Sequence, residues 1–382
     1  MTQMKSAIGK LKIFSFGSNS RCQLSLPTGE DVSVPTLVGK QFEVRRPLEP
    51  QHLELVSNGN HTLLRLKHVV YSVGDNSFGQ CFQSPSTEPI RSFEPVSQLL
   101  PANMTPVKIA AGWEFSVVVY ENKSTGGQAM YVAGTGPRGE LGLGPNVRVC
   151  AQQHVVPSFP PAGRRINRLA AGMSHVVAVL DDGTAYGWGN ARQGQLGPEH
   201  VACRTGVWAP AAIALPDGFS PADVACGTHF TAFTSTSGQV VVLTSKDKHG
   251  VITDVPEQRG LLRSGWTSLH MLQGTGDITS WGNNSHGQHR PEQAPKAAMM
   301  ACGSEHTIVL DRDTERAVYA WGWGEHGNCG QQQDGEQQRQ HVVVTMPRQV
   351  FSVDSQDGHT NHRIVYLAAG CAASWIFMVE DE

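Results

Sequence analysis

The chain has 382 residues, 39% of them hydrophobic and only 16% charged, well under the roughly 25% charged share of an average soluble protein. Its 41 glycines favour many tight turns over long helices. A net charge of −3 excludes the broad basic field of a nucleic-acid binder, and no apolar stretch reaches the ~18 residues of a membrane span.

The first segment, MTQMKSAIGKLKIFSFG, has no long apolar run and reads as neither signal peptide nor anchor. Its residues 12–17 read as a strand that runs into the first copy of a repeat. That frame is an aromatic or small residue, Gly, four variable residues, Gly, a polar residue and an apolar one. Along the chain it reads FGSNSRCQL (16–24), VGDNSFGQC (73–81), AGTGPRGEL (133–141), WGNARQGQL (188–196), WGNNSHGQH (281–289) and WGWGEHGNC (321–329), with a degenerate copy TSKDKHGVI at 244–252. A second frame, Gly, two variable residues, His or Phe, then an apolar run, precedes each of these except the first. Its copies are GNHTLLRL (59–66), GWEFSVVV (112–119), GMSHVVAV (172–179), GTHFTAF (227–233), GWTSLHML (265–272), GSEHTIVL (303–310) and GCAASWIF (370–377).

Short turns such as Asp181-Asp182-Gly183 join the two frames, so each repeat is a β-hairpin. Seven hairpins at this period predict one all-β domain over residues 1–382, a seven-bladed β-propeller. The first-frame copy at Gly17 lacks a preceding hairpin strand and the second-frame copy at Gly370 lacks a following one. The N-terminal strand is therefore expected to complete the last blade and leave no open edge. Blade boundaries are least defined around residues 25–58 and 244–265.

Most motifs that suggest chemistry are better explained by the repeat. Gly134-Thr135-Gly136-Pro137-Arg138-Gly139 matches a dinucleotide fingerprint, but a repeat loop follows it, not the helix that would face a pyrophosphate. His286-Gly287-Gln288-His289 and His326-Gly327-Asn328-Cys329 hold equivalent positions in consecutive blades, too far apart for zinc bonds of about 2 Å. His289 and Cys329 also stand where Leu24, Leu141 and Leu196 stand, a packed position. His61, His175 and His306 alternate with Phe115 and Phe230, so that position is structural. The basic run 163–168 reads as solvated surface. The eight cysteines include no C-x-x-C pair, which fits reduced thiols in the cytosol or nucleus. No catalytic constellation, metal site or cofactor site is expected.

The anomalies are tryptophans. Trp321 matches Phe16, Trp188 and Trp281 and is expected between blades, and Trp375 is expected in the core. Trp323, by contrast, stands where the repeat has Ser18, Asp75, Thr135, Asn190, Lys246 and Asn283. Glu325 is the only acid at its position. Trp113 and Trp266 follow their second-frame glycines, where the other copies are read as Asn60, Met173, Thr228, Ser304 and Cys371. Hairpin geometry puts both loops on one face, with Trp266 and Trp323 close together and Trp113 farther round. Trp266, Trp323, Glu325 and His326, with Trp113, are the expected partner-binding residues, because exposed tryptophans beside charge resemble interface hot spots.

The Gly-x-x-His strand and the Trp-Gly-x-Asn-x-x-Gly-Gln-Leu-Gly loop resemble the regulator-of-chromosome-condensation family of seven-bladed propellers across nearly the whole chain. GSEH (303–306), WGWGEHGNCG (321–330), GWTSLH (265–270) and AGCAASW (369–375) are similar to its fungal alpha-tubulin suppressor group. The resemblance implies a non-catalytic partner, without a cofactor, of a small cysteine-rich metal-carrying electron donor. That pair serves diphthamide synthesis on elongation factor 2 and Elongator-dependent modification of the tRNA wobble uridine. It implies no direct contact with nucleic acid or membrane, and a cytoplasmic or nuclear location. The parent family carries an alternative expectation, guanine-nucleotide exchange on a small Ran-type GTPase. Histone or DNA binding is disfavoured by the absence of a basic tail.

Overall fold

A computed structural model describes residues 8–45, 48, 50–96, 103–247, 250, 259–331, 343–355 and 361–380. Seven antiparallel sheets follow one another along the chain. Their innermost strands are Leu53–Asn58, Met104–Ala111, Ile166–Ala171, Pro221–Cys226, Gly260–Ser264, Ala297–Cys302 and His362–Gly370 in blades I to VII. Each packs against the next, and the last returns to the first. The result is a seven-bladed propeller. Blades I, II, III and VI have four strands and blades IV and V have three among the described residues. The degenerate first-frame copy at 244–252 falls partly outside the described residues.

The ring closes as expected. Ile8–Gly17 pairs with Ala373–Glu380, from Leu11 opposite Val379 to Gly17 opposite Ala373. Its other edge takes Val32–Leu37 and Phe42–Arg45. The long insert 25–58 is thereby explained: it supplies the outer strands of blade VII and then enters blade I.

Two devices fix the hairpins. The residue after the first-frame glycine donates its backbone N–H to the second residue past the second-frame glycine position. Examples are Asp75 to Asn60, Thr135 to Glu114, Asn190 to Ser174, Asn283 to Thr267 and Trp323 to Glu305, at 2.8–3.0 Å. This repeated bond holds the two loops on one face. The repeat glutamine closes its own loop: Gln23, Gln80, Gln195 and Gln288 each accept the backbone N–H two residues earlier at 2.9 Å.

Packing between blades explains the aromatics. Trp188 and Trp321 are fully buried, and their indole N–H groups donate to Glu140 O and Gln288 O in the preceding blade at 2.9 and 3.1 Å. Phe16 and Trp375 are also fully buried. The second-frame histidine or phenylalanine folds back over its glycine; a Cβ at Gly303 would strike the His306 ring. His61, His175 and His306 then reach Ser116, Thr231 and Ser374 of the next blade at 2.8, 3.0 and 2.9 Å. Where the position is Phe115 or Phe230, the corresponding residues are the apolar Val176 and Leu269, in the same core clusters.

One alignment of the repeat needs correction. In blade I it is Asn58, not Gly59, that opposes His61 as the hairpin's terminal pair. The residue equivalent to Trp113 is therefore Gly59, not Asn60. A side chain at Gly59 would strike the Trp113 carbonyl oxygen.

Candidate docking face and the mouth of the propeller

Both loop sets lie on one face, as the hairpin bonds require. The tryptophans are arranged differently from expectation. Trp113 of blade II and Trp266 of blade V meet across the propeller axis, with ring centroids 5.9 Å apart and planes at 55°. Trp113 is farther round the ring in sequence but is the aromatic neighbour of Trp266, because opposite blades converge at the axis. Their backbones are tied to neighbouring blades by Trp113 N–H to Met173 O and Trp266 N–H to Ser304 O, at 2.9 and 2.7 Å. Trp113 remains 40% exposed, a large ring held at the channel mouth.

Trp323 stacks on the imidazole of His286 in the first-frame loop of blade V, at 4.5 Å and 16°. The two aromatic groups are linked through Glu305. Its carboxylate accepts from Thr267, next to Trp266, at 2.9 Å and from Gln288 at 2.5 Å, and its carbonyl accepts the Trp323 N–H. The Trp113–Trp266 and Trp323–His286 ring contacts are thus linked through a buried acid.

Glu325 is exposed. His326 bonds Asp31 of the closing blade through Nδ1 at 2.7 Å. That bond raises the imidazole above its ordinary value, against the opposing effect of burial. Burial pushes the Asp31 carboxyl up, but His326 and the Asn19 N–H outweigh it and hold the group low. Sequence reasoning missed His286 and Asp31. The stack on Trp323 had no sequence signal beyond adjacency of blades, and Asp31 lies outside either frame. It also grouped Arg168 with the surface run 163–168. Arg164 and Arg165 do pair at the surface, with Asp182 and Glu121, but Arg168 faces the central cavity.

The residues read as structural behave so. Gly134 and Thr135 end the strand Gln128–Thr135, and Gly136–Gly139 follow it as a turn with no helix. Burial drives His61, His175 and His306 down to about 4, 3 and 4, and pushes the Cys226, Cys302 and Cys329 thiols up to about 12, where a thiolate nucleophile does not form at neutral pH. Among the described residues no group of three or more His, Cys, Asp or Glu is placed to hold a metal ion.

Comparison with known proteins agrees with this architecture. The sequence pattern of the Regulator of chromosome condensation (RCC1) repeat matches residues 182–234 and 317–375, and a second pattern for the same repeat matches residues 166–195. An RCC1 repeat-containing protein of Schizosaccharomyces pombe is 27% identical over 97% of this chain and 99% of its own length. A secretion-regulating guanine nucleotide exchange factor of Bos taurus is 24% identical over 83% of this chain and 75% of its own. The solved structure of Prp20p from Saccharomyces cerevisiae, described with its binding to Gsp1p and histones, superposes with a TM-score of 0.74 at 20% identity, covering 99% of this chain and 93% of that one. The chain thus carries RCC1 repeats over part of its length within a seven-bladed propeller fold.

Proposed function

We propose that this propeller is a non-catalytic adaptor whose loop face docks a small cysteine-rich, metal-carrying protein. The observation that carries the reading is the pair of aromatic clusters on one rigid face, Trp113 with Trp266 and Trp323 with His286. Rings that pack against one another on an anchored backbone lose little freedom on binding, which is what interface anchors require. The similarity of residues 265–270, 303–306, 321–330 and 369–375 to the alpha-tubulin suppressor group supports the identity of the partner. On this reading the pair serves diphthamide synthesis and Elongator-dependent wobble-uridine modification in the cytoplasm or nucleus. Electrons reside on the partner and the propeller positions it.

A second reading is favoured by the relatives: the Bos taurus protein is called an exchange factor and the yeast Prp20p is described with Gsp1p. Affinity capture with the full chain separates the two. Recovery of the cysteine-rich protein supports the adaptor. Recovery of a Ran-type GTPase without it supports exchange.

A further inference from the structure

The propeller axis encloses a cavity of about 660 Å³, within the range that holds small ligands. Its wall is built from equivalent positions of the seven inner strands. Four residues before the hairpin turn, blades I to IV contribute Glu54, Lys108, Arg168 and Asp223, while blades V to VII contribute Leu261, Met299 and Tyr366. Two residues before the turn, six blades place Val56, Ala110, Ala170, Ala225, Ala301 and Ala368. Blade V alone places an arginine there, Arg263.

These charges do not cancel. Asp223 is shared by two guanidinium groups, Arg168 at 3.5 Å and Arg263 at 3.7 Å. Glu54 is taken by Arg65 at 3.1 Å. Lys108 makes no ion pair within 4.0 Å among the described residues and lies within electrostatic reach of Arg168, Arg65, Glu54 and Asp223. The lining thus carries three cations against two carboxylates, both already engaged. At one end the Trp113–Trp266 pair spans the axis. At the other, Arg168 and Leu261 are exposed to solvent.

We propose that the cavity binds a small multivalent oxyanion of the phosphate class, held by Lys108, Arg168 and Arg263. Planar guanidinium groups present paired N–H donors to phosphate oxygens, and the ammonium group adds a point charge. Three cations from three blades match a multivalent anion better than a single carboxylate. The low-dielectric wall of alanines and Met299 strengthens each attraction. Arg263 stands where the other six blades use alanine or valine, and it reaches Asp223 and the Leu262 carbonyl from there. This site is independent of partner docking on the loop face.

Isothermal titration calorimetry of the full chain with inorganic pyrophosphate tests the proposal, with citrate and acetate as carboxylate arms. Pyrophosphate is expected to bind with an affinity that falls as salt rises, and acetate to give no heat. Arg263→Ala restores the residue of five other blades and should fold, which a thermal melt verifies; it should weaken pyrophosphate about tenfold or more. Lys108→Met should do the same, and the surface variant Arg164→Ala should leave binding unchanged. Absence of heat with pyrophosphate, or unchanged affinity in both cavity variants, would overturn the site. Citrate binding more tightly than pyrophosphate would overturn its assignment to phosphate.

Discussion

His61, His175 and His306 are buried without charge, and each spans a blade boundary to a hydroxyl. Unfolded, each regains an ordinary value near 6.5, whereas folded they sit at about 4, 3 and 4. Below pH 6.5 the unfolded chain therefore takes up protons that the native chain refuses. Stability is full above that pH and falls as pH drops toward 4, by up to about 1.4 kcal/mol per pH unit for each histidine. The chain itself supplies the control, since Phe115 and Phe230 occupy the same position opposite Val176 and Leu269. The double substitution His61→Phe with Ser116→Val should fold and lower the acid dependence by one histidine's share in denaturant titrations at several pH values. An unchanged slope would show that His61 is not buried neutral. Trp321 and Trp323 make a second contrast. Trp321→Ala removes a fully buried ring and should cost ~3–5 kcal/mol. Trp323→Ala loses chiefly its stack on His286, worth ~0.5–1.5 kcal/mol. Thermal melts of the two variants check this, and comparable losses would mean the repeat needs an aromatic at 323. The core role of Trp321 was legible because other blades repeat it. The partner of Trp323 was not, because His286 is a generic loop residue in a different blade.

At the level of elements, the strand Ile8–Gly17 holds the ring shut. It pairs with Ala373–Glu380 on one edge and with Val32–Leu37 and Phe42–Arg45 on the other. Deleting residues 1–20 exposes two edges and opens the contact between blades VII and I. The truncated chain should melt well below the full protein, and equal melting temperatures would contradict the closure. A smaller contact, His326 to Asp31, joins the loop of blade VI to the closing blade. Here the folded histidine value is raised, so its contribution is complete below pH 6.5 and fades as pH rises through the folded value, opposite in sign to the buried histidines. Asp31→Asn should bring the His326 titration down in an NMR pH series; no change would mean the two side chains do not meet in solution. Hairpins and closure could be read from frame order alone, since unpaired half-repeats at the two ends fit only each other. In the first blade Gly59 stands one place past the frame position, which Asn58 holds opposite His61. Register against His61 decides that point, and register is a property of the folded sheet.

For the whole molecule, circular order matters more than sequence distance. Blades II and V are far apart along the chain, yet Trp113 and Trp266 touch at the axis. Trp266 and Trp323, in consecutive blades, are linked through Glu305, which bonds Thr267 and the Trp323 N–H. The inner-strand charges were legible only with the propeller in hand, because Arg263 is conspicuous only beside the alanines of other blades. The central claim is that this aromatic face docks a small cysteine-rich, metal-carrying protein, and the most direct test is the affinity of that protein for the full chain and for Trp266→Ala and Trp323→Ala. Truncating a well-packed interfacial tryptophan typically costs ~2–4 kcal/mol. At 1.4 kcal/mol per decade, each variant should lose about 30- to 1,000-fold in affinity while Arg164→Ala binds as the parent does. Full affinity in both tryptophan variants, or no binding by the parent chain under conditions where it captures a Ran-type GTPase, would contradict the account.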